Sequence, residues 1–255
     1  MASTLAAARA AYDALTDEQK ALVGETEYQK LVMLEAIYNR KFPSGGNSNP
    51  SIEPVDPEIA EYALPAGSIF TLGKFRYKVS VSSDNNGKVY LYRPKSKNIT
   101  SVTVPATVTY GRVTYKVTRV SNYAFKNCEK LKTFTCKNKA TSIGFQALYS
   151  CNSLTKVKLG GNLKKIEDEA FMNCPKLSKV YMGGKVNSIG SYAFYKDKKL
   201  KAVEITTGTI KSIGYYAFNK IKYKAYIKMP DKYYSNYHKL LKNSAIAKNT
   251  RLKTY

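Results

Sequence analysis

The chain has 255 residues, of which 44% are hydrophobic and 24% charged, and its formal net charge is +24. That length allows one large domain or two smaller ones with a real core, and the composition is that of a globular protein rather than a disordered one. No run approaches the ~18 apolar residues needed to span a membrane, and the start, MASTLAAARAAYDAL, lacks the uninterrupted apolar stretch of a signal peptide, which leaves room for Met1 being an added start on a fragment of something longer.

The first segment, 1–42, reads as helical. Ala and Leu dominate TLAAARAAYDAL, and Thr16 precedes DEQKALV as an N-cap with acidic residues in the first turn. Gly24 stops that helix, and TEYQKLVMLEAIYNRKF restarts with Tyr28, Leu31, Leu34 and Tyr38 near helical spacing. Residues 43–66, beginning PSGGNSNPSIEPVDPE, form a linker by composition. Charge changes at the same place. Residues 1–66 hold 5 Lys/Arg against 10 Asp/Glu, whereas 67–255 hold 37 against 8. Such asymmetry argues for two units with different surfaces. A strongly positive field favours polyanions, although most lysines are expected simply as the solvated face of a repetitive scaffold.

From Gly67 the chain turns to short β runs. FTLGKFRYKVSV and KVYLY alternate around DNNG, a hairpin signal at Asp84 to Gly87, and Gly111 marks a second tight turn. Residues 67–116 are expected as a β-rich N-terminal cap. A repeat then takes over. Ala124, Ala147, Ala170 and Ala193 recur every 23 residues, and Ala217 follows after 24. Each is followed by Phe125, Leu148, Phe171, Phe194 or Phe218, and preceded four residues earlier by Val120, Ile143, Ile166, Ile189 or Ile213. Leu131, Leu154, Leu177 and Leu200 lie seven residues after the first four alanines. A period in this range means a solenoid whose units must stack to bury their apolar faces. The LxxVxL portion places two alternating side chains inward from a short strand, and the IGxxAF portion turns, with a small Ala for close packing and an aromatic filling the space between rungs.

The segment SIGSYAFYKDKKLKAVEI, Ser188 to Ile205, resembles a BspA-like leucine-rich repeat, and TVPATVTYGRVTYKVTRVSNYAF resembles the lead-in to such arrays. The N-terminal segment only faintly resembles helical spacer repeats of Gram-positive surface proteins. The resemblance implies an α/β, right-handed leucine-rich repeat solenoid of about five 23-residue rungs over 117–229, with a C-terminal cap over 230–255 containing a helix around Asp231 to Leu241. It also implies export to the bacterial surface or medium, no cofactor, and adhesion or ligand binding rather than catalysis. A host or cell-surface protein or glycan is the implied partner, a polyanion such as an acidic glycan, wall polymer or nucleic acid is the second class, and the chain is expected as a monomer. A third reading makes it the targeting arm of a larger surface enzyme.

Little in the sequence points to catalysis. His238 is the only histidine, and Glu167, Asp168 and Glu169 are expected as a solvated acidic turn, with acid–base or cation-binding roles as the sharper alternative. Cys128, Cys151 and Cys174 share a register filled in other rungs by Asp197 and Ile221, and Cys136 takes a strand position. These are wall positions for thiols that pack as small hydrophobes. One disulfide between rungs ~5 Å apart is left open, and a zinc site is not expected. Asp197 does not suit a wall, so the turn from Tyr195 to Lys199 is expected to be loosened or solvated. Two surfaces are candidates for binding. The strand face should present Thr133, Thr135, Lys156, Lys158, Lys179, Tyr181, Ala202, Glu204, Tyr226 and Lys228. The turn edge carries Tyr123, Tyr192, Tyr215 and Tyr216, which either stack on a sugar or protein partner or pack between rungs.

Overall fold

The computed structural model describes residues 2–16, 63–136, 139–247 and 249–255. The chain divides into two compact units, 1–55 and 56–255. In the first, helix α1 spans Ala2–Asp13, and Arg9 Nε donates to Asp13 Oδ2 at 3.1 Å, one helical turn away. The helix expected after Gly24 and all but the last residues of the 43–66 segment lie outside the described residues.

Among the described residues, the second unit has sixteen strands in two sheets, of nine and seven strands. Its first part is antiparallel. Strands β1 (Ile69–Leu72), β2 (Phe75–Val81) and β3 (Lys88–Pro94) form a meander, with DNNG joining β2 to β3. After β4 (Ser101–Thr103), strand β5 (Thr107–Tyr110) pairs antiparallel with β6 (Val113–Val120) across the Gly111 turn. Alternation drives Phe70, Tyr77, Tyr110 and Tyr115 into one buried aromatic cluster, with Phe70 between the other three rings at 4.6–5.7 Å. The Tyr115 hydroxyl accepts from Leu64 N at 2.6 Å and ties the incoming chain to this cluster.

The repeat then winds a solenoid. Strands β7 (Thr133–Cys136), β9 (Lys156–Leu159), β11 (Lys179–Met182), β13 (Ala202–Ile205) and β15 (Tyr226–Met229) run parallel from β4 at one edge to β16 (Arg251–Thr254) at the other. Seven strands in parallel make about six turns, one more than the alanine repeat alone counts. The second sheet continues from β6 through two-residue strands β8 (Ser142–Ile143), β10 (Lys165–Ile166), β12 (Ser188–Ile189) and β14 (Ser212–Ile213). Regular helix is scarce here: after a 3-10 turn at Asp231–Tyr233, α2 spans Tyr234–Asn243.

The IGxxAF turns are held by hydrogen bonds from coil to coil. The residue before each repeat Ala has positive φ (Tyr123, Gln146, Glu169, Tyr192, Tyr216), and so does the third residue after it (Asn127, Ser150, Asn173, Lys196, Lys220). These two left-handed residues point alternate amides along the solenoid axis. Thus Glu169 N, Phe171 N and Asn173 N donate to Ser191 O, Ala193 O and Tyr195 O of the next coil at 2.8–2.9 Å. The glycine of the motif has a separate reason. A Cβ on Gly190 would collide with Asp168 Oδ1 and the backbone beneath it, where Asp168 Oδ1 accepts from Ser191 N at 2.8 Å.

Inside, the large apolar residue after each Ala is fully buried. Phe171 stacks on Phe194 at 5.1 Å and Phe194 on Phe218 at 5.2 Å, nearly parallel. Leu148 interrupts this column, and Phe134 spans the break, meeting both Phe125 and Phe171 at 6.0 Å. The far end is closed by the segment after α2. Tyr216 N donates to Ser244 O, Ala247 N to Phe218 O and Arg251 N to Ala225 O, so this segment supplies the bonds of one more coil. Buried Tyr237 anchors α2, its hydroxyl donating to Thr207 O at 2.6 Å and accepting from Ile210 N at 3.3 Å.

Candidate functional site

Parallel register stacks the outward side chains of the seven-stranded sheet in two columns. One reads Ser101, Thr133, Lys156, Lys179, Ala202, Tyr226, Arg251, and the other Thr103, Thr135, Lys158, Tyr181, Glu204, Lys228, Lys253. The first two strands are neutral and hydroxyl-bearing. From β9 onward the face carries six cations against the single carboxylate of Glu204. Strand neighbours ~4.8 Å apart hold these charges close together. Rings partly cover them: Lys156 Nζ lies 5.3 Å from the Tyr181 centroid, Lys253 Nζ 5.2 Å from Tyr226 and Lys228 Nζ 4.2 Å from Tyr255. Burial, with smaller contributions from Glu204 and Tyr226, pushes up the Tyr255 phenol. Lys156, Lys158, Lys179, Tyr181, Glu204, Tyr226 and Lys228 are thus brought onto one face.

Ala202 departs from the expectation. It occupies the outward register yet is 1% exposed, because a methyl group set between Lys179 and Tyr226 lies below the reach of both neighbours. Arg251, Lys253 and Tyr255 are the residues sequence reasoning missed. The alternation of RLK matches that of YIK in Tyr226 to Lys228, and that match was the available signal.

The turn edge is divided. Tyr123 stands at the first coil, 51% exposed, edge-on to Phe145 at 5.4 Å. Tyr192, Tyr215 and Tyr216 gather at the other end and are joined by Tyr195. Tyr192 meets Tyr195, Tyr216 and Tyr215 edge-on at 5.3, 5.7 and 6.4 Å.

The remaining chemistry-bearing residues serve the scaffold. Glu167 Oε2 accepts from Arg119 Nη2 and Phe145 N, both at 3.1 Å, reaching back across Gly144. Asp168 caps Ser191 N, and Glu169 accepts from Gln146 Nε2 at 2.7 Å. The acidic turn therefore cross-links coils, which is more than solvated surface. His238 is exposed on α2 beside Tyr234. All four cysteines are buried and unbridged. The Cys151 and Cys174 thiols donate to Phe125 O and Leu148 O of the preceding coils, each at 3.2 Å. Burial pushes Cys128 and Cys136 up to about 12 and holds Cys174 well above the ordinary thiol range, so these three are neutral thiols near neutral pH.

The loosened turn expected at Asp197 is not what forms. Asp197 is fully buried, and Leu200 N donates to its carbonyl at 2.8 Å in a tight turn. Its Oδ1 accepts from Cys174 N at 2.7 Å, while Oδ2 has no partner. Burial holds the carboxyl well above the usual carboxylate range, and the Cys174 amide only partly offsets this. The turn stays closed because every neighbouring coil shares its hydrogen bonds, and opening one would cost several at once.

Short parallel strands, a buried residue after each Ala and coil-to-coil turn bonds define a leucine-rich repeat solenoid. A profile of the BspA type Leucine rich repeat region matches residues 90–224 in six copies, and the chain belongs to that family. Among solved structures, the fold is similar to the leucine-rich repeat protein of T. pallidum, at TM-score 0.51 and 21% identity over 72% of this chain and 85% of that one. Two more distant likenesses are to the pneumococcal vaccine antigen PcpA (TM-score 0.49, 20% identity, 66% of this chain and 51% of that chain) and to a leucine rich cell surface protein from Faecalibacterium prausnitzii (TM-score 0.42, 20% identity, 65% and 55%). No curated protein matches the sequence. Among the described residues, no helix is long and apolar enough to cross a membrane.

Proposed function

We propose that the chain is a non-enzymatic, exported repeat module that binds an extended acidic macromolecule at the cell surface through its strand face. The observation that carries this reading is the register of Lys156, Lys158, Lys179, Lys228, Arg251 and Lys253 around one carboxylate. Family membership supports export and a binding role. A linear polyanion suits the site because the cations follow the stacking direction in two groups, on β9 and β11 and on β15 and β16, on either side of the rung that presents Ala202 and Glu204. Tyr181, Tyr226 and Tyr255 add flat, partly covered surface for apolar parts of the ligand.

Binding of polyphosphate, a polyanion without rings, tests the reading. Its log affinity should fall linearly with log salt concentration as counterions are released. Replacing Lys156, Lys179 and Lys228 together by Ser should weaken binding and flatten that slope. Salt-insensitive binding, or an unchanged slope in the triple variant, would refute the reading.

A further inference from the structure

At three register positions of the turn edge, Tyr123 and Phe145 apart, several side chains of the first three coils link neighbouring coils by hydrogen bonds. Asn122 Oδ1 accepts from Phe145 N, Gln146 donates to Glu169, Asp168 caps Ser191 N, and Asn173 Nδ2 donates to Ser150 Oγ. In the last two coils the same slots hold Ser191 and Tyr215, Tyr192 and Tyr216, and Lys196 and Lys220. Four of these, Tyr192, Tyr216, Lys196 and Lys220, sit at positive φ. The same two positions have positive φ in every coil, including Tyr123, Gln146 and Glu169, so the side chain there is not fixed by the backbone turn. With Tyr195, the tyrosines and lysines of the last two coils form one surface, in which Tyr215, Lys196 and Lys220 are exposed and Tyr192, Tyr195 and Tyr216 half-buried. Tyr195 stacks toward Tyr216 at 6.2 Å, Tyr215 lies 3.9 Å from Tyr216 and is 52% exposed, and both lysines stand over Tyr195, Lys196 Nζ at 5.5 Å and Lys220 Nζ at 5.3 Å. The nearby carboxylates are engaged elsewhere: Asp168 on Ser191 N, Glu169 on Gln146, and Asp197 inside the wall.

We propose that this surface is a second binding site, for an acidic sugar: a uronic-acid ring lies on Tyr192, Tyr195, Tyr215 and Tyr216, and its carboxylate is held by Lys196 and Lys220. Ring faces with outward hydroxyls suit the C–H face and hydroxyl rim of a pyranose, and the two ammonium groups over Tyr195 favour an anionic one. The site is separate from the strand face and does not depend on it.

The repeat itself supplies fold-compatible test variants. Lys196→Asn with Lys220→Asn installs the residue found at Asn127 and Asn173, and Tyr215→Ser with Tyr216→Gln installs those at Ser191 and Gln146. Calorimetric titration would use oligogalacturonate, its neutral methyl ester and polyglutamate, with thermal melting as the check on folding. Oligogalacturonate should bind more tightly than either comparator. The lysine pair should reduce its affinity about tenfold or more, to the level of the methyl ester, and the tyrosine pair should weaken oligogalacturonate and the methyl ester alike. These titrations are run in the Lys156→Ser, Lys179→Ser, Lys228→Ser background, so that the strand face contributes little, and the effects of the lysine and tyrosine pairs should persist there. Failure of oligogalacturonate to bind in that background, equal binding of polyglutamate, or no effect of the lysine pair would overturn the assignment; binding by the unaltered chain that the strand-face substitutions alone abolish would overturn it too and leave the strand-face reading standing.

Discussion

Replacing Asp197 by Asn should stabilise the repeat unit near neutral pH and remove part of its pH dependence. In the folded chain this carboxyl is fully buried with one oxygen bonded to Cys174 N and the other unpartnered, and burial raises its pKa well above the ordinary value. In the unfolded chain it titrates near the reference value of about 3.9. The folded state therefore holds this proton more tightly. Its contribution to stability is fully present below the unfolded pKa and is lost as pH rises toward and through the raised folded pKa. Within that window the loss approaches ~1.4 kcal/mol per pH unit. Asn keeps the acceptor for Cys174 N and has no proton to lose. Its amide nitrogen also falls where Cys151 and Cys174 donate to Phe125 O and Leu148 O, an offset of 26 residues that corresponds to Phe171 O for residue 197. Urea denaturation of both proteins, followed by far-ultraviolet circular dichroism from about pH 4 to pH 8, measures the difference directly. The gap in favour of Asp197→Asn should open as pH rises. Parallel stability curves, or a gap that widens toward low pH, would refute the reasoning.

The column of rings makes Phe171→Ala costly, about 3–5 kcal/mol from the cavity left against Phe134 and Phe194, readable as a fall in the denaturation midpoint. Gly190→Ala should destabilise by about 1–3 kcal/mol or more, since its Cβ meets the Asp168 backbone rather than a flexible chain end. Tyr237→Phe removes a buried hydroxyl that bonds Thr207 O and Ile210 N; a loss of about 1–3 kcal/mol, with faster hydrogen exchange at Ile210, would show that α2 locks the end of the solenoid. Glu204→Gln should tighten polyphosphate binding about two- to fivefold, the range of an exposed charge interaction, without changing the melting temperature.

The repeat made the solenoid readable because stacking demands the same residue type at the same offset in every coil. Val157, Val180 and Val203 could only face inward together, and Lys156, Lys158, Lys179, Tyr181 and Lys228 could only face out. Residues with no equivalent in other coils were harder. Arg251 and Lys253 fell within the C-terminal cap because the repeat alanine and aromatic are missing before them. Tyr195, Lys196 and Lys220 became part of a surface only when neighbouring coils brought them together.

Sequence alone determined the period, the inward set and the strongly basic character of residues 67–255, since each follows from local alternation and composition. Tertiary structure decided what alternation cannot express. It set the left-handed residues that turn amides along the axis, the covering of Ala202 by longer neighbours, and the use of Glu167, Asp168 and Glu169 as links between coils. It also decided the fate of Asp197. A lone acid in a wall position suggested a local opening, but the hydrogen bonds of a coil belong jointly to the coils on either side, and that shared network keeps the carboxyl inside.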